Sequence, residues 1–363
     1  MTEKTAVAMS GGVDSSAAAL LLRQGGHDLV GVTLKLVDNT LAGLKGESAC
    51  CSLDDVEDAA AAARRLGFPH YVFNFTSCFR TEVVDPFVRA YEEGRTPNPC
   101  VACNRRVKFG ALLRRADELG WGRIATGHYA RLDLDAGSGR WLLKKAAHQA
   151  KDQSYVLAML TQEQLGRALF PLGELSKEEV RSLAREAGLL NARKRDSQDI
   201  CFIPDGDYGA FLRRYTGRDY PAGPFLYEDG TLLGWHSGIV DYTVGQRRGL
   251  GVSSGLGRLY VKEIVPEQNT VVLSVNEGLF ARTLTANRLN LIPCARLDGP
   301  VRLRARIRYR MAEQPCAVEQ TGEDSIRLTF DQPQRAITPG QTVVLYDGDT
   351  VVGGAVITAG IPD

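Results

Sequence analysis

Roughly the first two hundred residues alternate between short apolar runs and helical stretches, and this alternation limits the possible folds more than any other feature. The apolar runs are rich in β-branched residues, which favour strands, and they occupy residues 6–9, 28–36, 70–75 and 123–130. Segments with helical character lie between them, at residues 15–24, 53–66, 78–93 and 104–119. Strands that alternate with helices predict an α/β fold with a doubly wound parallel sheet.

The remainder of the chain differs in residue composition and periodicity. Residues 132–143 are expected to form a hairpin, and Ser176 with Glu179 forms a capping box for a helix that ends at Gly188. From about residue 205, Pro, Gly and Tyr become frequent and helical periodicity is scarce. After about residue 277, short alternating runs separated by turns indicate a small antiparallel barrel or sandwich, of which we expect the β-barrel. We therefore predict three domains, which cover residues 1–204, 205–280 and 281–363.

Composition narrows the class of protein. A formal net charge of +1 over 363 residues gives no global positive field, so any contact with nucleic acid must be local. The apolar stretches are too short to span a bilayer, and the N-terminus does not begin a signal peptide, so no membrane partner is expected. Eight cysteines in a chain of this length are typical of reduced thiols, which predicts a cytoplasmic protein.

A glycine-rich loop follows the first predicted strand. It has the sequence SGGVDSS (residues 10–16), and a predicted helix begins within it. Two glycines let the backbone approach an anion closely, while amides at the helix start and the serine hydroxyls supply donors. The loop lacks the Gly-Lys-Ser/Thr of a Walker motif. Composition alone also permits a simple glycine turn with a serine cap.

Two cysteine-bearing stretches come later in the chain. Cys100 and Cys103 have CxxC spacing in a proline-stiffened loop, just before a helix with basic residues in its first turns. Thiols in such surroundings are biased towards thiolate. Residues 195–204 carry Cys201 at the first predicted domain boundary.

SGGVDSS resembles the pyrophosphate (PP) loop of the ATP pyrophosphatase superfamily, which has Rossmann-like domains. Together with RTPNPxxxCN, TGHYA, KDQSY, DSQDICFI, GQRRG and PGQ, it makes the whole chain resemble the tRNA-uridine 2-sulfurtransferase (MnmA/TrmU) family. The resemblance implies ATP-dependent replacement of O2 by sulfur on the wobble uridine of tRNAs, with Lys, Glu and Gln acceptors as the expected substrates. It also implies Mg²⁺ and a sulfur donor such as a cysteine desulfurase or relay protein.

The resemblance also assigns roles to residues of this chain and makes the central domain tRNA-binding. Cys103 matches the family's nucleophile and Cys201 its persulfide-bearing cysteine. The expected ATP-binding residues are Ala8, Met9, Ser10, Gly11, Gly12, Val13, Asp14, Ser15, Leu34 and Gly127, of which Asp14 would help to position magnesium. The residues expected to contact the target base or tRNA are Asn98, Pro99, Cys100, His128, Lys151, Asp152, Gln153, Arg308, Tyr309 and Gln341.

The chain departs from the family at one position. Many relatives have aspartate where this sequence has Cys100, so the role of that aspartate does not carry over. Instead, Cys100, Cys103 and Cys201 give three thiolates, which can hold a 4Fe-4S cluster with one open iron, and thiolates also suit zinc. A metal-free persulfide route is the alternative. Cys50 and Cys51 are interpreted as peripheral, and packing roles are expected for the remaining cysteines, Cys78, Cys294 and Cys316.

The segment VRLRARIRYR (residues 301–310) alternates arginine with other residues. On one strand its five arginines would project to one face, roughly 6–7 Å apart, which suits successive phosphates. A solvated barrel face is the alternative interpretation, but five arginines without an acidic residue on that face favour phosphate contact.

Two other functions compete with tRNA thiolation. A ligase that adenylates a small metabolite would explain the glycine loop but not the cysteines or the arginine strand. A non-catalytic RNA-binding zinc protein would explain the cysteines but not the loop. Pyrophosphate release measured with and without unmodified tRNA separates all three.

Overall fold

The computed structural model describes residues 3–37, 53–189, 191 and 200–362. Packing divides the chain into two compact units, each built from separate stretches of sequence. The first comprises Met1–Val84, Cys100–Gly206 and Gly348–Val351, and the second comprises Asp85–Pro99, Asp207–Asp347 and Val352–Asp363. Cys50, Cys51 and residues 195–199 of the second cysteine stretch lie outside the described residues.

A five-stranded sheet forms the centre of the first unit. Its strands are β1 (Lys4–Ala8), β2 (Leu29–Lys35), β3 (His70–Asn74), β4 (Trp121–Ala125) and β7 (Ala168–Leu169). All neighbours are parallel, in the order β3-β2-β1-β4-β7. The predicted parallel α/β fold is therefore confirmed. The predicted strand at residues 123–130 is wrong in its second half, because β4 ends at Ala125 and residues 126–129 form a loop.

Ten α-helical segments lie in the described part of the chain. They are α1 (Val13–Gln24), α2 (Leu53–Leu66), α3 (Thr76–Phe79), α4 (Asp85–Glu92), α5 (Pro99–Ala102), α6 (Leu112–Glu118), α7 (Ser154–Leu157), α8 (Gln162–Gly166), α9 (Lys177–Glu186) and α10 (Tyr208–Thr216). Turns of π-helix, Arg80–Val84 and Cys103–Ala111, join α3 to α4 and α5 to α6. Within these described residues, no helix is long and apolar enough to cross a membrane.

The core of the first unit forms where α1, α2 and α9 pack on the sheet. Val7 and Met9 at the strand side meet small residues of the helices, such as Ala18 and Ala63. Alanines let helices approach a sheet closely, and burying them removes apolar surface from water. The capping box predicted for α9 is present, because Ser176 Oγ accepts from Glu179 N and the Glu179 side chain accepts from Ser176 N.

The predicted hairpin after β4 is also present. Strands β5 (Ala130–Leu134) and β6 (Trp141–Lys145) are antiparallel, with Leu132 opposite Leu143. The turn at residues 135–139 closes through a hydrogen bond from Gly139 N to Asp135 O of 2.8 Å.

The second unit contains a small sheet and a barrel. The sheet has the order β10-β11-β8-β9, and its strands are β8 (Gly223–Tyr227), β9 (Leu232–His236), β10 (Tyr260–Val265) and β11 (Thr270–Ser274). The barrel strands are β12 (Phe280–Leu291), β13 (Val301–Arg306), β14 (Gln314–Gln320), β15 (Ile326–Arg335), β16 (Thr342–Asp347) and β17 (Thr350–Ile361). They follow the order β12-β15-β14-β13-β16-β17, and pairing of β12 with β17 closes the barrel, as predicted.

Short 3₁₀ turns complete the regular structure at Gln149–Lys151, Ile239–Asp241, Pro266–Gln268 and Asn276–Leu279. Helix α10 was not expected in a stretch rich in Pro, Gly and Tyr. It begins at an aspartate cap, since Asp207 Oδ1 accepts from Ala210 N at 2.9 Å, and it ends at Gly217 with a left-handed φ of 65°. Both are ordinary helix boundary signals.

Candidate active site

The SGGVDSS loop lies between the carboxyl end of β1 and the start of α1. Gly11 has a φ of +72°, and a Cβ there would come within 2.4 Å of the backbone oxygen of Asp55 in α2. Only glycine fits both conditions. Gly12 then caps α1, which begins at Val13.

Hydrogen bonds inside the loop fix its serines. Ser15 Oγ donates to Gly12 O at 3.1 Å and accepts from Ser10 N at 3.3 Å. The first N–H groups of a helix have no partner within the helix, and its dipole favours negative charge at this end. This arrangement suits the binding of a phosphate chain, as predicted for the loop.

Asp14 in the first turn of α1 is held by two partners. Lys177 Nζ donates to Asp14 Oδ1 at 2.7 Å and to Oδ2 at 2.8 Å, and Tyr129 Oη donates to Oδ1 at 2.7 Å. Lys177 is the first residue of α9 and its side chain is only 8% exposed. Neither partner was identified as a site residue from the sequence. The available signal was a lysine at the N-terminus of a helix, where the dipole disfavours a cation.

The donor set at the loop fits magnesium together with a nucleotide. Mg²⁺ is commonly bound by one or two carboxylates, with phosphate oxygens and waters as its other ligands. Asp14 supplies one carboxylate in the first turn of α1, directly after the Gly11–Gly12 turn. Elsewhere in the described residues, no group of three or more His, Cys, Asp or Glu side chains could hold a metal ion.

The loop after β4 packs against the glycine-rich turn. A Cβ on Gly127 would lie 2.7 Å from both Asp14 C and Ser15 N, so glycine is needed for this close approach. Leu34, near the carboxyl end of β2, is buried. Gly127 lies beyond the carboxyl end of β4, and Leu34 is the last residue but one of β2. Ligands of open α/β sheets bind at this edge of the sheet.

His128 in the same loop is buried. Its Nδ1 lies 2.7 Å from Thr126 Oγ1, and its ring packs edge-on against Phe170. Burial, and then the charge of Lys108, hold the pKa of His128 well below its ordinary value of 6.5, so the ring is neutral. The structure therefore does not present this residue to RNA as a cation.

The three predicted tRNA contacts at residues 151–153 have different surroundings. Asp152 is buried, and its Oδ1 accepts from Ala146 N and Ser154 N, both at 3.1 Å. Gln153 exchanges two hydrogen bonds with the Tyr129 backbone. Lys151 is exposed. Asp152 and Gln153 thus organise this loop, while Lys151 is accessible to a phosphate.

The nucleophile candidate Cys103 lies where α5 passes into a π-helix. Cys103 is buried, Cys201 is half-buried and Cys100 is exposed. The residue after Cys103 is fixed by a hydrogen bond from Asn104 Nδ2 to Val156 O at 3.1 Å. Gln164 Nε2 donates to Arg105 O at 2.9 Å and to Phe109 O at 2.8 Å. These bonds support the widened turn, and π-helical turns are frequent at functional sites.

The same three thiols are the predicted ligands of a 4Fe-4S cluster. All three lie in the described residues, within which no three metal-ligating side chains come together. No ligand group for a 4Fe-4S cluster is therefore found among the described residues, and the cluster stays a prediction. Outside this group, Cys316 lies in the barrel core, and burial raises the pKa of its thiol to about 12, so it stays protonated.

The arginine face predicted for residues 301–310 is present only in part, because Arg302, Arg304 and Arg306 alternate along β13. Strand β13 ends at Arg306, so Arg308 and Arg310 lie in the following turn. The arginines on the strand also have acidic partners. Arg302 pairs with Asp331 at 2.6 Å, and Arg304 and Arg306 pair with Glu313 at 3.7 and 2.9 Å. Neighbouring segments contribute these carboxylates, which alternation within one strand does not reveal.

Arg308 serves the fold of the second unit. Its Nη2 donates to Val244 O at 3.2 Å, Ala336 O at 2.8 Å and Thr338 Oγ1 at 2.8 Å. Tyr309 is 39% exposed, which contradicts the alternative that it belongs to the core. The accessible side chains of this turn are therefore Tyr309 and Arg310.

Gln341 contacts the loop that carries Asn98 and Pro99. Its Nε2 donates to Thr96 O at 2.9 Å, and Thr96 N donates to Pro339 O at 2.9 Å. Gly340, which lies between Pro339 and Gln341, has a φ of +90°, and a Cβ there would lie 3.0 Å from Thr96 N. Residues 339–341 thus form a turn that holds the loop two residues before Asn98.

Comparisons with known proteins cover nearly the whole chain. Residues 3–205 match a family model described as tRNA methyl transferase HUP domain, residues 209–275 match its PRC-barrel domain, and residues 281–357 match an aminomethyltransferase β-barrel domain. The tRNA-specific 2-thiouridylase MnmA of Koribacter versatilis is 50% identical, over 97% of this chain and 98% of that protein. The proteins of the same name from Lachnoclostridium phytofermentans and Clostridioides difficile are 48% and 46% identical, each over 98% of this chain and at least 98% of theirs.

Proposed function

Because the chain belongs to the family of tRNA-specific 2-thiouridylases, we propose that it replaces O2 of the wobble uridine of tRNA with sulfur at the expense of ATP. The observation that carries this proposal is that the SGGVDSS loop (residues 10–16, here named the phosphate loop) and the two thiols Cys103 and Cys201 belong to one compact unit. A small-metabolite ligase needs the loop without the thiols, and a structural zinc protein needs neither the loop nor Asp14.

The chemistry requires both parts. A uracil carbonyl oxygen is a poor leaving group, so the oxygen is first adenylated: it attacks the α-phosphorus of ATP and pyrophosphate leaves. The phosphate loop binds the triphosphate for this step. Asp14 would hold Mg²⁺, which would neutralise charge on the phosphates. Sulfur then attacks C2 and AMP departs with the former O2.

Two thiols account for the sulfur step without a metal. The terminal sulfur of a persulfide on Cys201 attacks C2 and displaces AMP. The Cys103 thiolate then attacks Sγ of Cys201, the S–S bond to the transferred sulfur breaks, and a Cys103–Cys201 disulfide forms as 2-thiouridine is released. An external thiol reductant returns the pair to thiols. A cysteine desulfurase or relay protein is the proposed source of the persulfide.

The proposed RNA partner is a tRNA with a wobble uridine, with Lys, Glu and Gln acceptors as the candidates. Asn98, Pro99 and Cys100 are the proposed residues near the target base. Lys151, Tyr309 and Arg310 are accessible and suit contacts with the backbone or with an unstacked base.

Partial reactions test the assignment. With unmodified tRNA, ATP and a persulfide donor, Cys103→Ser and Cys201→Ser should each abolish 2-thiouridine formation but retain ATP binding. Asp14→Asn should lose tRNA-dependent pyrophosphate release. Cys78→Ser, a half-buried thiol of the same unit, is the matched control and should keep all activities. Continued thiolation by the Cys201 variant would contradict the persulfide route.

Anaerobic purification followed by iron, sulfide and zinc analysis tests the metal-free route. We expect no stoichiometric iron, sulfide or zinc in active protein. Stoichiometric iron and sulfide, with thiolation lost on chelation, would replace this route with a cluster mechanism.

A further inference from the structure

Asn191, which follows α9, lies against the underside of the phosphate loop. Its Nδ2 donates to Gly11 O at 3.0 Å, to Gly12 O at 3.3 Å and to Ser16 Oγ at 2.8 Å. The residue is only 5% exposed. No motif quoted from the sequence includes it, and it lies 180 residues from Gly11.

These contacts act on the most flexible part of the loop. Successive glycines adopt many backbone conformations, so a Gly-Gly turn needs outside support to keep one of them. Asn191 binds both glycine carbonyl groups, and Ser15 Oγ also donates to Gly12 O. Ser16 Oγ joins the same amide to the first turn of α1. With both carbonyl groups fixed on the protein side, the amides of the turn keep their orientation.

The amide group is suited to this task by its lack of charge. A carboxylate in its place could not donate to the carbonyl oxygens and would add a negative charge beside an anion site. In the described part of the chain, Asn191 Oδ1 has no hydrogen-bond partner although it is buried. A buried acceptor without a donor costs free energy, so the site retains asparagine for the bonds that its Nδ2 donates.

We infer that Asn191 is a positioning residue for the phosphate loop, which holds the Gly11–Gly12 backbone in the conformation that binds the triphosphate of ATP. This inference rests on the proposed function. It assigns to Asn191 a preorganising role, so that little loop entropy is lost when ATP binds. Asn191 makes no contact with the reacting atoms in this assignment.

The test compares Asn191→Asp, Asn191→Ala and Ser16→Ala with the wild-type protein. For the two Asn191 variants we expect the KM for ATP to rise about tenfold or more, because several hydrogen bonds to the loop are lost. The Kd for tRNA should stay unchanged. Asn74→Asp is the matched control, since Asn74 is exposed and accepts hydrogen bonds from Thr76 that an aspartate also accepts; its KM for ATP should not change. Melting temperatures report which variants are folded.

The outcomes separate the two claims. If the wild-type protein releases pyrophosphate with tRNA and a folded Asn191 variant keeps the wild-type KM for ATP, the role of Asn191 is wrong and the proposed function stands. If the wild-type protein releases none, the proposed function fails first. Where Asn191→Asp does not fold, the double variant of Asn191→Ala with Ser16→Ala decides. Both substitutions remove the hydrogen bond between Asn191 Nδ2 and Ser16 Oγ. The rise in KM for the double variant should therefore be smaller than the product of the two single rises. A rise equal to that product would contradict the inference.

Discussion

Lys177 and Asp14 form an ion pair at the phosphate loop. A cation at the start of a helix opposes the dipole of that helix, and burial of its ammonium group adds a desolvation cost. Two hydrogen bonds to Asp14 offset both. Without Lys177, the carboxylate would face the Gly11–Gly12 turn with the hydrogen bond from Tyr129 Oη still in place.

The Lys177→Met variant tests this pairing. We expect the free energy of unfolding to fall by about 2 kcal/mol. This loss is smaller than the 3–5 kcal/mol typical of breaking a fully buried pair, because Asp14 is partly exposed. The melting temperature of the first unit should fall correspondingly. Lys144→Met, which removes the more exposed Lys144–Asp133 pair, is the control and should change stability by less than about 1 kcal/mol. Equal losses of stability in the two variants would show that burial does not increase the contribution of the Lys177–Asp14 pair.

At the scale of elements, the spacing of apolar and polar residues predicted the parallel sheet, the hairpin and the barrel, because each depends on periodicity along single segments. It failed where a neighbouring element decides the outcome. β13 stops at Arg306 although alternation continues, and its arginines pair with Asp331 and Glu313 from other segments. The glycine loop was likewise predictable from adjacent residues. Its supports Tyr129, Lys177 and Asn191 were not, since they are 115 to 180 residues away in sequence from their partners in the loop.

The turn formed by residues 339–341 is an element whose effect on activity can be measured. Gln341→Ala removes the hydrogen bond to Thr96 O and should loosen the loop that carries Asn98. We expect thiolation at subsaturating tRNA to slow about three- to tenfold, the equivalent of one hydrogen bond. The KM for ATP should not change, because the phosphate loop belongs to the other unit.

Gln314→Ala is the control for that change, since the Gln314 side chain donates to the carbonyl group of Ala312, two residues away in the same segment. An unchanged thiolation rate in Gln341→Ala, or a loss of equal size in both variants, would contradict the supporting role of the turn.

For the whole molecule, the near-neutral net charge means that RNA binding depends on local groups of accessible cations. Many surface arginines pair with carboxylates of the protein itself, and Arg308 donates to backbone carbonyl groups. Such arginines contribute little to counterion release. Exposed cations such as Lys151 and Arg310 determine the salt dependence in this account.

The salt dependence of tRNA binding distinguishes these two groups of cations. Arg310→Ala should reduce the slope of log Kd against log salt by about one unit, as expected for one lost phosphate contact. Arg308→Ala should leave the slope unchanged and lower the melting temperature of the second unit, because its contacts are internal. Filter binding at four or five salt concentrations measures both. A slope reduced only by Arg308→Ala would reverse the assignment.

The product ratio of a single turnover tests most directly the proposal that this one chain couples ATP cleavage to sulfur transfer on tRNA. Purified protein, unmodified tRNA, ATP, Mg²⁺ and a persulfide donor are mixed, and pyrophosphate, AMP and 2-thiouridine are quantified together. We expect the three products in equal amounts, and no pyrophosphate above background when tRNA is omitted. Pyrophosphate released at the same rate without tRNA, or 2-thiouridine formed without AMP, would contradict it.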